Sequence, residues 1–549
     1  MKKRTALIVI SIVSLSIVGF SALDNVYLKI GQNIDVFGRV YKEIVSNYVD
    51  EVDPEKFMRS GIDGMLETLD PYTVYMAGKE EDDIDLLTHG QYGGVGISIG
   101  VRDGAIIVLA PTEGYSAFKQ GVKTGDKIIE VDGAKITGTN PDSVRFKVRG
   151  EPGTTVRMKV EREGEKNPIE FTLVREEIQV HNVGYSGFVR DGVGYIRLER
   201  FSRRAGEEIR QAVKELKAKG ELKGLVLDLR DNPGGLLESA VETVSKFAKK
   251  GSTIVTTRGR RDEEAKMYTV DEEPIAADVP LAVLVNRNSA SASEIVAGAV
   301  QDLDRGIIVG TRSFGKGLVQ TVIPLNYNAS MKITTARYYT PSGRCIQEID
   351  YLHKNKEGVF TVTPDSLKKE FKTGNGRTVK ESGGITPDST VEDIQHSSYY
   401  VELMRKALFF KFATTYVVKH PEFEGDFAAT PAVMKEFEQY LSEQKFEYVE
   451  PAEKKLSELK EQMKKEKYSS ASLSSVDVLI NQLRGEKVNA FARYSDEIRN
   501  ELTAEINSRY NGEKGRDKAL MKYDVQAQTA AALVLNKRYY DGVLKGKKL

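Results

Sequence analysis

A serine and a lysine form the most informative pair of residues in the sequence. Ser291 lies in Asn-Ser-Ala-Ser-Ala-Ser-Glu-Ile (288–295), and Lys316 lies in Ser-Phe-Gly-Lys-Gly (313–317). A lysine can act as the general base for a serine nucleophile when burial lowers the pKa of its ammonium group. Because Ser–Lys dyads are a variant of serine hydrolase chemistry, nucleophilic catalysis is one interpretation of the pair.

The residues around Ser291 predict a strand, a turn and a helix. Residues 281–285 form a continuous apolar run of the length of a buried strand. Apolar side chains then recur at helical spacing, at Ala292, Ile295, Val296, Ala299 and Val300. A serine at the start of such a helix lies near free N–H groups and the positive end of the helix dipole, which favour a developing oxyanion.

The same residues also allow a purely structural interpretation. Ser291 and Glu294 have the spacing of a capping box, in which the two side chains only satisfy the first N–H groups of a helix. Capping serines are far commoner than nucleophiles. A lysine flanked by glycines, such as Lys316, is usually an exposed turn residue. Spacing alone therefore favours the structural interpretation.

Three segments resemble the active-site segments of the carboxyl-terminal processing peptidases, also called tail-specific proteases. They are residues 289–301, residues 314–320, and Asp-Leu-Arg-Asp-Asn-Pro-Gly-Gly at 228–235. The resemblance extends from about residue 33 to 393, with the segments in the family's order. It implies that Ser291 is the nucleophile, that Lys316 is the base and that Gln320 orients the lysine.

The resemblance also implies an oxyanion hole. One donor would be the main-chain N–H of Ala292, and the other would come from the glycine turn, where the sequence does not distinguish Gly234 from Gly235. A plain tight turn is an equally good explanation of the two glycines. The segment 338–344, Tyr-Tyr-Thr-Pro-Ser-Gly-Arg, matches the family too and is interpreted as lining a substrate channel or as a simple turn.

Residues 85–175 resemble a PDZ domain, with short strand-like runs separated by glycine turns. The residues Gly94, Val95, Gly96 and Ile97 resemble its carboxylate-binding loop and peptide-binding strand. In such a loop successive N–H groups converge on a C-terminal carboxylate, and the next strand accepts the peptide by β-augmentation. Residues 117–128 resemble the PDZ helix and strand that follow. Protein substrates with free, apolar C-termini are therefore expected.

Arg149 lies where the family has a conspicuous basic residue, in Val-Arg-Gly-Glu-Pro-Gly (148–153). One hypothesis is regulatory: Arg149 pairs with a group of the protease core only when the PDZ domain is docked in the active position. A solvated arginine in a hairpin explains the residue equally well.

The predicted fold is multidomain α/β, with a β-rich PDZ domain inserted ahead of an α/β protease core and helical regions at both ends. The expected segments are a signal anchor or signal peptide (1–23), an N-terminal helical region (24–84), the PDZ domain (85–175), the protease core (176–392) and a C-terminal helical domain (393–549). The N-terminal helical region contributes to oligomer contacts in the family, so a homo-oligomer is expected. The C-terminal domain is expected to pack or dimerise.

The first residues predict export. Three cationic residues, 2–4, precede Thr5–Leu23, a stretch without charge that is close to the length needed to span a bilayer. The cations should stay in the cytoplasm, which places the rest of the chain outside. An uncleaved anchor is favoured over a cleaved signal, because no cleavage site is convincing. The expected location is the periplasmic side of the inner membrane, anchored or released.

Composition excludes several other classes of function. Lys plus Arg equals Asp plus Glu at 80 each, so nothing suggests a nucleic-acid partner. The single cysteine, Cys345, cannot form an internal disulfide. No HExxH motif or Cys/His cluster indicates a metal, and no dinucleotide fingerprint indicates a cofactor. None of the five histidines lies in a segment that resembles an active-site motif.

The sequence therefore predicts an ATP-independent serine endopeptidase of the carboxyl-terminal processing type. It would cleave exported proteins that its PDZ domain recognises by their C-termini, through an acyl-enzyme. The alternative, from another class, is a catalytically inactive PDZ-containing scaffold that binds peptides. The joint presence of Ser291, Lys316 and Gln320 argues against that alternative.

Overall fold

The computed structural model describes residues 26–77, 90–327, 329–354, 360–487 and 489–547. These residues form two compact units. The smaller unit combines the N-terminal residues up to 78 with residues 320–334, and the larger unit contains residues 79–319 and 335–549. The predicted membrane segment, Thr5–Leu23, lies outside the described residues. Within the described ranges, no helix is both long and apolar enough to cross a membrane.

The smaller unit begins with two helices, α1 (26–47) and α2 (Pro54–Leu66). Asp53 starts α2 by accepting the N–H groups of residues 55 and 56, and Pro54 fits the first turn because it has no N–H to leave unsatisfied. The ring of Tyr41 in α1 stacks on that of Phe57 in α2. A strand, β1 (Val74–Ala77), then pairs antiparallel with residues 329–332.

The larger unit begins with a β-rich domain built on an antiparallel sheet. The sheet has the strand order β3-β4-β5-β7-β8, with β6 added to β5, and a separate ladder joins β2 to β9. Its buried apolar side chains, among them Val108, Val131 and Met158, form a core of their own. The elements are β2 (Gln91–Gly94), β3 (Ile97–Arg102), β4 (Ala105–Pro111), α3 (Ser116–Lys119), β5 (Lys127–Val131), β6 (Ala134–Lys135), α4 (Asp142–Val148), β7 (Thr155–Glu161), β8 (Ile169–Val174) and β9 (Glu176–Gln179).

An α/β core follows, organised around a six-stranded sheet of order β10-β11-β12-β15-β16-β23. Only β10 and β11 pair antiparallel; the other neighbours are parallel. The elements are β10 (Val183–Arg190), β11 (Val193–Leu198), α5 (Ala205–Lys219), β12 (Gly224–Asp228), α6 (Leu237–Ser245), β13 (Thr253–Gly259), β14 (Lys266–Thr269), β15 (Leu281–Val285), α7 (Ala292–Asp302), β16 (Ile307–Gly310), β17 (Leu318–Leu325), β18 (Ala329–Tyr339), β19 (Ile349–Lys354), β20 (Phe360–Val362), β21 (Glu370–Lys372), β22 (Thr378–Lys380) and β23 (Ser389–Thr390).

Helices α5, α6 and α7 pack on one face of this sheet. Every residue of β12 and of β15 is buried, as expected for central parallel strands covered on both faces. The apolar stripe of α5, including Ile209, Val213 and Leu216, joins the same core as Val296 of α7. This layer fixes the start of α7 at the carboxyl edge of the sheet, where ligands of open α/β folds bind.

The C-terminal part is helical. Its first helices share an aromatic core that includes Phe409, Phe412 and Phe437. The elements are α8 (Ser398–Arg405), α9 (Leu408–Lys419), α10 (Pro431–Glu443), α11 (Pro451–Lys465), α12 (Ser470–Lys487), α13 (Ala490–Arg493), α14 (Ser495–Met521), α15 (Val525–Leu535) and α16 (Lys537–Leu544).

The last two helices, α15 and α16, cover the second face of the central sheet. Ala530 and Val534 of α15 share a core with Val226 and Leu284 of the sheet, and the hydroxyl of Tyr540 in α16 accepts the N–H of Leu281 at 2.9 Å. Both helices lie in the predicted C-terminal helical region, 393–549. They supply the apolar layer that the parallel strands need on their second face.

Candidate active site

Ser291 lies between β15 and α7 in an unusual backbone conformation. Its φ is 57° and its ψ is −113°, whereas an ordinary N-cap serine is extended. Non-glycine residues rarely adopt positive φ, and such strain concentrates at functional sites. Strained serines at strand-to-helix turns are typical of hydrolase nucleophiles. The backbone therefore distinguishes Ser291 from a plain capping residue.

Glu294, in the first turn of α7, joins the serine segment to the lysine segment. Its Oε2 accepts the N–H groups of Ser291 and Lys316, both at 2.9 Å. Its Oε1 accepts the hydroxyl of Ser313 at 2.6 Å and the N–H of Gly315 at 2.7 Å. The side chain is fully buried, and burial raises the pKa of this carboxyl to about 7, although the four hydrogen bonds act to lower it.

Tyr338, near the end of β18, contacts the same two residues through their carbonyl groups. Its hydroxyl is hydrogen-bonded to the carbonyl oxygens of Ser291, at 3.1 Å, and of Lys316. The side chain is 1% exposed. The sequence predicts that the segment 338–344 lines a channel or forms a turn, and in the structure its first tyrosine is buried beside Ser291 and Lys316.

The glycine turn after β12 packs against the serine segment. A Cβ on Gly234 would lie 2.9 Å from the Cβ of Ser291 and 3.0 Å from the nitrogen of Ala292, so only glycine fits there. Gly235 lies further along, where an added Cβ would be 2.3 Å from the carbonyl oxygen of Phe201. The sequence predicted both glycines near Ala292, and the structure places Gly234 directly against it.

The N–H groups of the two glycines differ in their use. The N–H of Gly234 donates to the side-chain oxygen of Asn232 at 2.9 Å. Gly235 forms a parallel β-bridge with Phe201. The hydrogen bonds of this bridge involve the carbonyl of Gly234 and the N–H of Leu236, so the N–H of Gly235 takes no part in it.

Lys316 is half-buried and follows a segment that pairs with the serine segment, since the N–H of Phe314 donates to the carbonyl of Ser289 at 3.0 Å. Gln320 belongs to the smaller unit, where its side-chain amide donates to the hydroxyl of Thr334 at 3.2 Å.

A second buried charge network lies where the glycine turn begins. Asp228 is 2% exposed at the end of β12 and accepts hydrogen bonds from the guanidinium of Arg230 and the hydroxyl of Tyr195. Arg230 also donates to Asp524, the N-cap of α15, and to the side chain of Gln526. Nothing in the sequence pairs residue 230 with 524, since the contact depends on how α15 packs.

The predicted peptide-binding residues lie on β2 and β3 of the β-rich domain. Gly94 ends β2, and Ile97 begins β3, which is an edge strand of its sheet. Between them, the carbonyl of Val95 accepts an N–H from α3, and Gly96 turns the chain with φ 75°. An edge strand preceded by a glycine turn suits the addition of a peptide strand.

Arg149 follows α4, and its guanidinium lies over the ring of Tyr92 in β2, 4.6 Å from the ring centre. This distance is within the range of a cation–π contact. The predicted pairing of Arg149 with a core group stays a prediction. Within the described ranges, no group of three or more His, Cys, Asp or Glu side chains could hold a metal ion.

Comparisons with known proteins match four segments of the chain. Residues 192–365 match Peptidase family S41, and residues 93–173 match a PDZ domain. Residues 21–80 match the "Activating protease CtpB N-terminal domain", and residues 399–534 match "Probable PDZ-protease, C-terminal helical domain". The expected fold class, a PDZ domain ahead of an α/β protease core between helical regions, is confirmed.

Curated relatives cover most of the chain. The carboxy-terminal-processing protease of Bartonella bacilliformis is 39% identical over 379 residues, which cover 66% of this chain and 86% of that protein. The carboxy-terminal processing protease CtpB of Bacillus subtilis is 32% identical over 388 residues, covering 68% and 79%. A solved photosystem II D1 C-terminal processing protease is 27% identical with a TM-score of 0.35, covering 65% of this chain and 92% of that one. The chain belongs to the carboxy-terminal processing proteases and is a serine peptidase that carries a PDZ domain.

Proposed function

We propose that this protease uses Ser291 as nucleophile and Lys316 as general base. The observation that carries the proposal is that one carboxylate oxygen, Oε2 of Glu294, accepts the N–H groups of both residues. Two segments that are distant in sequence are thereby adjacent at the start of α7. The strained backbone of Ser291 is a second, independent support.

The reaction proceeds through an acyl-enzyme. Lys316, as the neutral amine, takes the proton of the Ser291 hydroxyl while the oxygen attacks the scissile carbonyl carbon. When the tetrahedral intermediate collapses, the C–N bond breaks and the lysine returns the proton to the leaving amine. Water then attacks the ester, with Lys316 as base again, and releases the carboxylate product.

The oxyanion is bound by main-chain N–H groups at the start of α7. Ala292 supplies the first, where the helix dipole also favours negative charge. We assign the second donor to Gly235 and not to Gly234, whose N–H is engaged by Asn232. Gln320 is assigned to orient the lysine, as the family resemblance implies.

Substrates are exported proteins with free, apolar C-termini, which bind at Gly94–Ile97 before an upstream bond is cut. β3 at the edge of its sheet supports this mode of binding. Arg149 is assigned the regulatory role described above.

Export and membrane attachment rest on the uncharged stretch Thr5–Leu23. Homo-oligomerisation rests on the family resemblance, and α1 also exposes apolar side chains such as Leu28, Ile34 and Val36. The inactive scaffold has no observation in its favour.

The direct test combines two substitutions in the purified full chain. Ser291→Ala and Lys316→Arg should both abolish turnover, since arginine keeps the charge but cannot lose its proton at working pH. Peptide binding by the PDZ domain should be unchanged in both variants. Turnover near the wild-type rate in Ser291→Ala would place the nucleophile elsewhere, and an active Lys316→Arg enzyme would exclude the lysine base.

Tail recognition has its own test. A peptide with a free C-terminus should be cleaved faster than the same peptide amidated, because hydrogen bonds to a charged carboxylate are roughly twice as strong as those to a neutral group. The preference should disappear when Gly96→Val blocks the turn, where a Cβ would already approach Tyr115 at 2.5 Å. Equal rates for both peptides in the wild-type enzyme would remove tail recognition while leaving the dyad untouched.

A further inference from the structure

Two buried side chains bridge Ser291 and Lys316 through all four of their main-chain polar groups. Glu294 accepts the N–H of each residue, and the Tyr338 hydroxyl is hydrogen-bonded to the carbonyl of each. We propose that Glu294 and Tyr338 are positioning residues, a clamp that fixes the separation and orientation of the two catalytic main chains. The proposal rests on the assignment of Ser291 and Lys316 as the dyad.

The chemistry of the two clamp residues is complementary. A carboxylate can only accept hydrogen bonds and therefore suits N–H groups, whereas a phenol has one O–H, which Tyr338 shares between the two carbonyl oxygens. The two residues also come from different elements, Glu294 from the first turn of α7 and Tyr338 from the end of β18. The clamp thus joins the helix that begins at Ser291, the loop of Lys316 and a strand into one arrangement.

A helix cap alone does not account for Glu294. A capping glutamate needs to accept only the N–H of its N-cap residue. Here three of the four hydrogen bonds go to residues 313, 315 and 316, and all four donors are neutral. Burying a carboxylate is costly, and burial raises the pKa of this one although the four hydrogen bonds act to lower it. The buried position of Glu294 is unfavourable for its charge, but it lets this side chain hold the lysine segment beside Ser291.

Fixing these main chains matters because the side chains cannot fix themselves. Lysine has a long flexible stem, so the position of its Nζ depends first on where its backbone is held. Ser291 has a strained backbone, and such conformations persist only when the surrounding structure over-determines them. A displacement of about 1 Å at a reacting pair can cost roughly 100-fold in rate.

The test uses Glu294→Gln and Tyr338→Phe in the full chain, with Tyr540→Phe as the matched control. Tyr540 is another buried tyrosine whose hydroxyl is hydrogen-bonded to main-chain groups, but it lies in α16 on the opposite face of the sheet. We expect kcat to fall roughly 100-fold in Glu294→Gln and roughly 10-fold in Tyr338→Phe, with KM within about twofold of wild type. Tyr540→Phe should keep kcat.

A second measurement separates positioning from folding. A small fluorophosphonate labels the active serine and does not need to bind the PDZ domain first. Its labelling rate should therefore fall together with kcat in both clamp variants. The clamp would be overturned if the loss of activity in these variants only matched the loss of folded protein, and the remaining folded protein were labelled at the wild-type rate. Wild-type kcat in both variants beside inactive Ser291→Ala and Lys316→Arg would also overturn it. Turnover by Ser291→Ala would instead overturn the dyad itself.

Discussion

Two fully buried carboxylates flank the candidate active-site turn, and they are stabilised in different ways. Asp228 ends β12 and faces a cation, the guanidinium of Arg230, together with the hydroxyl of Tyr195. Glu294 begins α7 and faces four neutral donors, three of them main-chain N–H groups. Both groups lost their water on folding, so the comparison contrasts a carboxylate that is hydrogen-bonded to a cation with one whose hydrogen-bond donors are neutral.

The two carboxyls shift in opposite directions. Burial acts to raise the pKa of Asp228, but the charge and hydrogen bonds of Arg230 outweigh it, so that the pKa is lowered. Burial likewise raises the pKa of Glu294, and neutral donors do not offset it, which leaves a value of about 7. Asp228 is therefore charged throughout the neutral range, whereas Glu294 titrates within it.

The largest expected effect is on stability and concerns Asp228. Asp228→Asn keeps the shape of the side chain but leaves the buried Arg230 with Asp524 as its one carboxylate partner among the described residues. Breaking one side of a buried ion pair typically costs about 3 to 5 kcal/mol. We expect the free energy of unfolding, measured in urea at pH 8, to fall by about 3 kcal/mol. Glu294→Gln should cost less, because it also removes an unfavourable buried charge; the reverse ranking would contradict the comparison.

The next effect is the pH dependence of stability. The carboxyl of Glu294 has a pKa of 4.5 as its ordinary value and about 7 in the folded protein. Between these two pH values the folded state binds more protons than the unfolded state, so the free energy of unfolding falls as pH rises. At about 1.4 kcal/mol per pH unit, the loss is about 3 kcal/mol and is complete above pH 7.

Urea titrations of the wild type and Glu294→Gln at pH 5 and pH 8 measure this term by difference. As pH rises, the free energy of unfolding of Glu294→Gln should increase relative to that of the wild type. For Asp228 the sign is opposite and the window is different. Its lowered pKa contributes stability that is lost only in acid, as pH falls through the folded pKa. The difference between wild type and Asp228→Asn should therefore be flat from pH 5 to pH 8.

Local patterns predicted the elements around the site well. The strand Leu281–Val285 has the predicted bounds, and the helix indicated by the apolar spacing from Ala292 onward is α7, Ala292–Asp302. Within the predicted peptide-binding segment, Gly96 turns the chain with φ 75°, so that β3 begins at Ile97. Periodicity could not place α15, since its packing against β12 and β15 joins segments that lie far apart in the sequence.

The site shows the same limit. The Ser-x-x-Glu spacing predicts a capping box, and Glu294 does accept the N–H of Ser291. The bond from Glu294 to Lys316 depends on the tertiary fold and has no sequence signal. Tyr338 lay in a recognised segment, but only the structure shows that its hydroxyl turns inward to the two carbonyls. Asp524 had no signal at all.

Activity and stability should change with pH in opposite directions, since kcat should rise with pH while the free energy of unfolding falls. The ionised form of Glu294 accepts all four hydrogen bonds, whereas the protonated form carries an O–H that faces donors. We expect kcat to fall as pH decreases through about 7, approaching tenfold per pH unit on the acid side if the clamp is needed in its ionised form. A pH–rate profile of wild type against Glu294→Gln measures it, since the variant keeps the Lys316 base and lacks the carboxyl that titrates. A profile that is flat between pH 5.5 and 7 would contradict the role of the ionised carboxylate.

The smallest expected effect compares two hydroxyl donors, one for each carboxylate. Ser313→Ala removes the hydroxyl that donates to Glu294, and Tyr195→Phe removes the one that donates to Asp228. Each should cost about 1.5 kcal/mol, the lower end of the range for hydrogen bonds to charged groups. Since hydrogen bonds to the charged form lower a pKa, Ser313→Ala should shift the acid limb of kcat upward by somewhat less than about one pH unit. Tyr195→Phe should leave that limb in place, because Asp228 keeps its cation and does not titrate near neutrality. If both variants shift the limb equally, the group that titrates is not Glu294, and the difference between the two carboxylates would have no functional consequence.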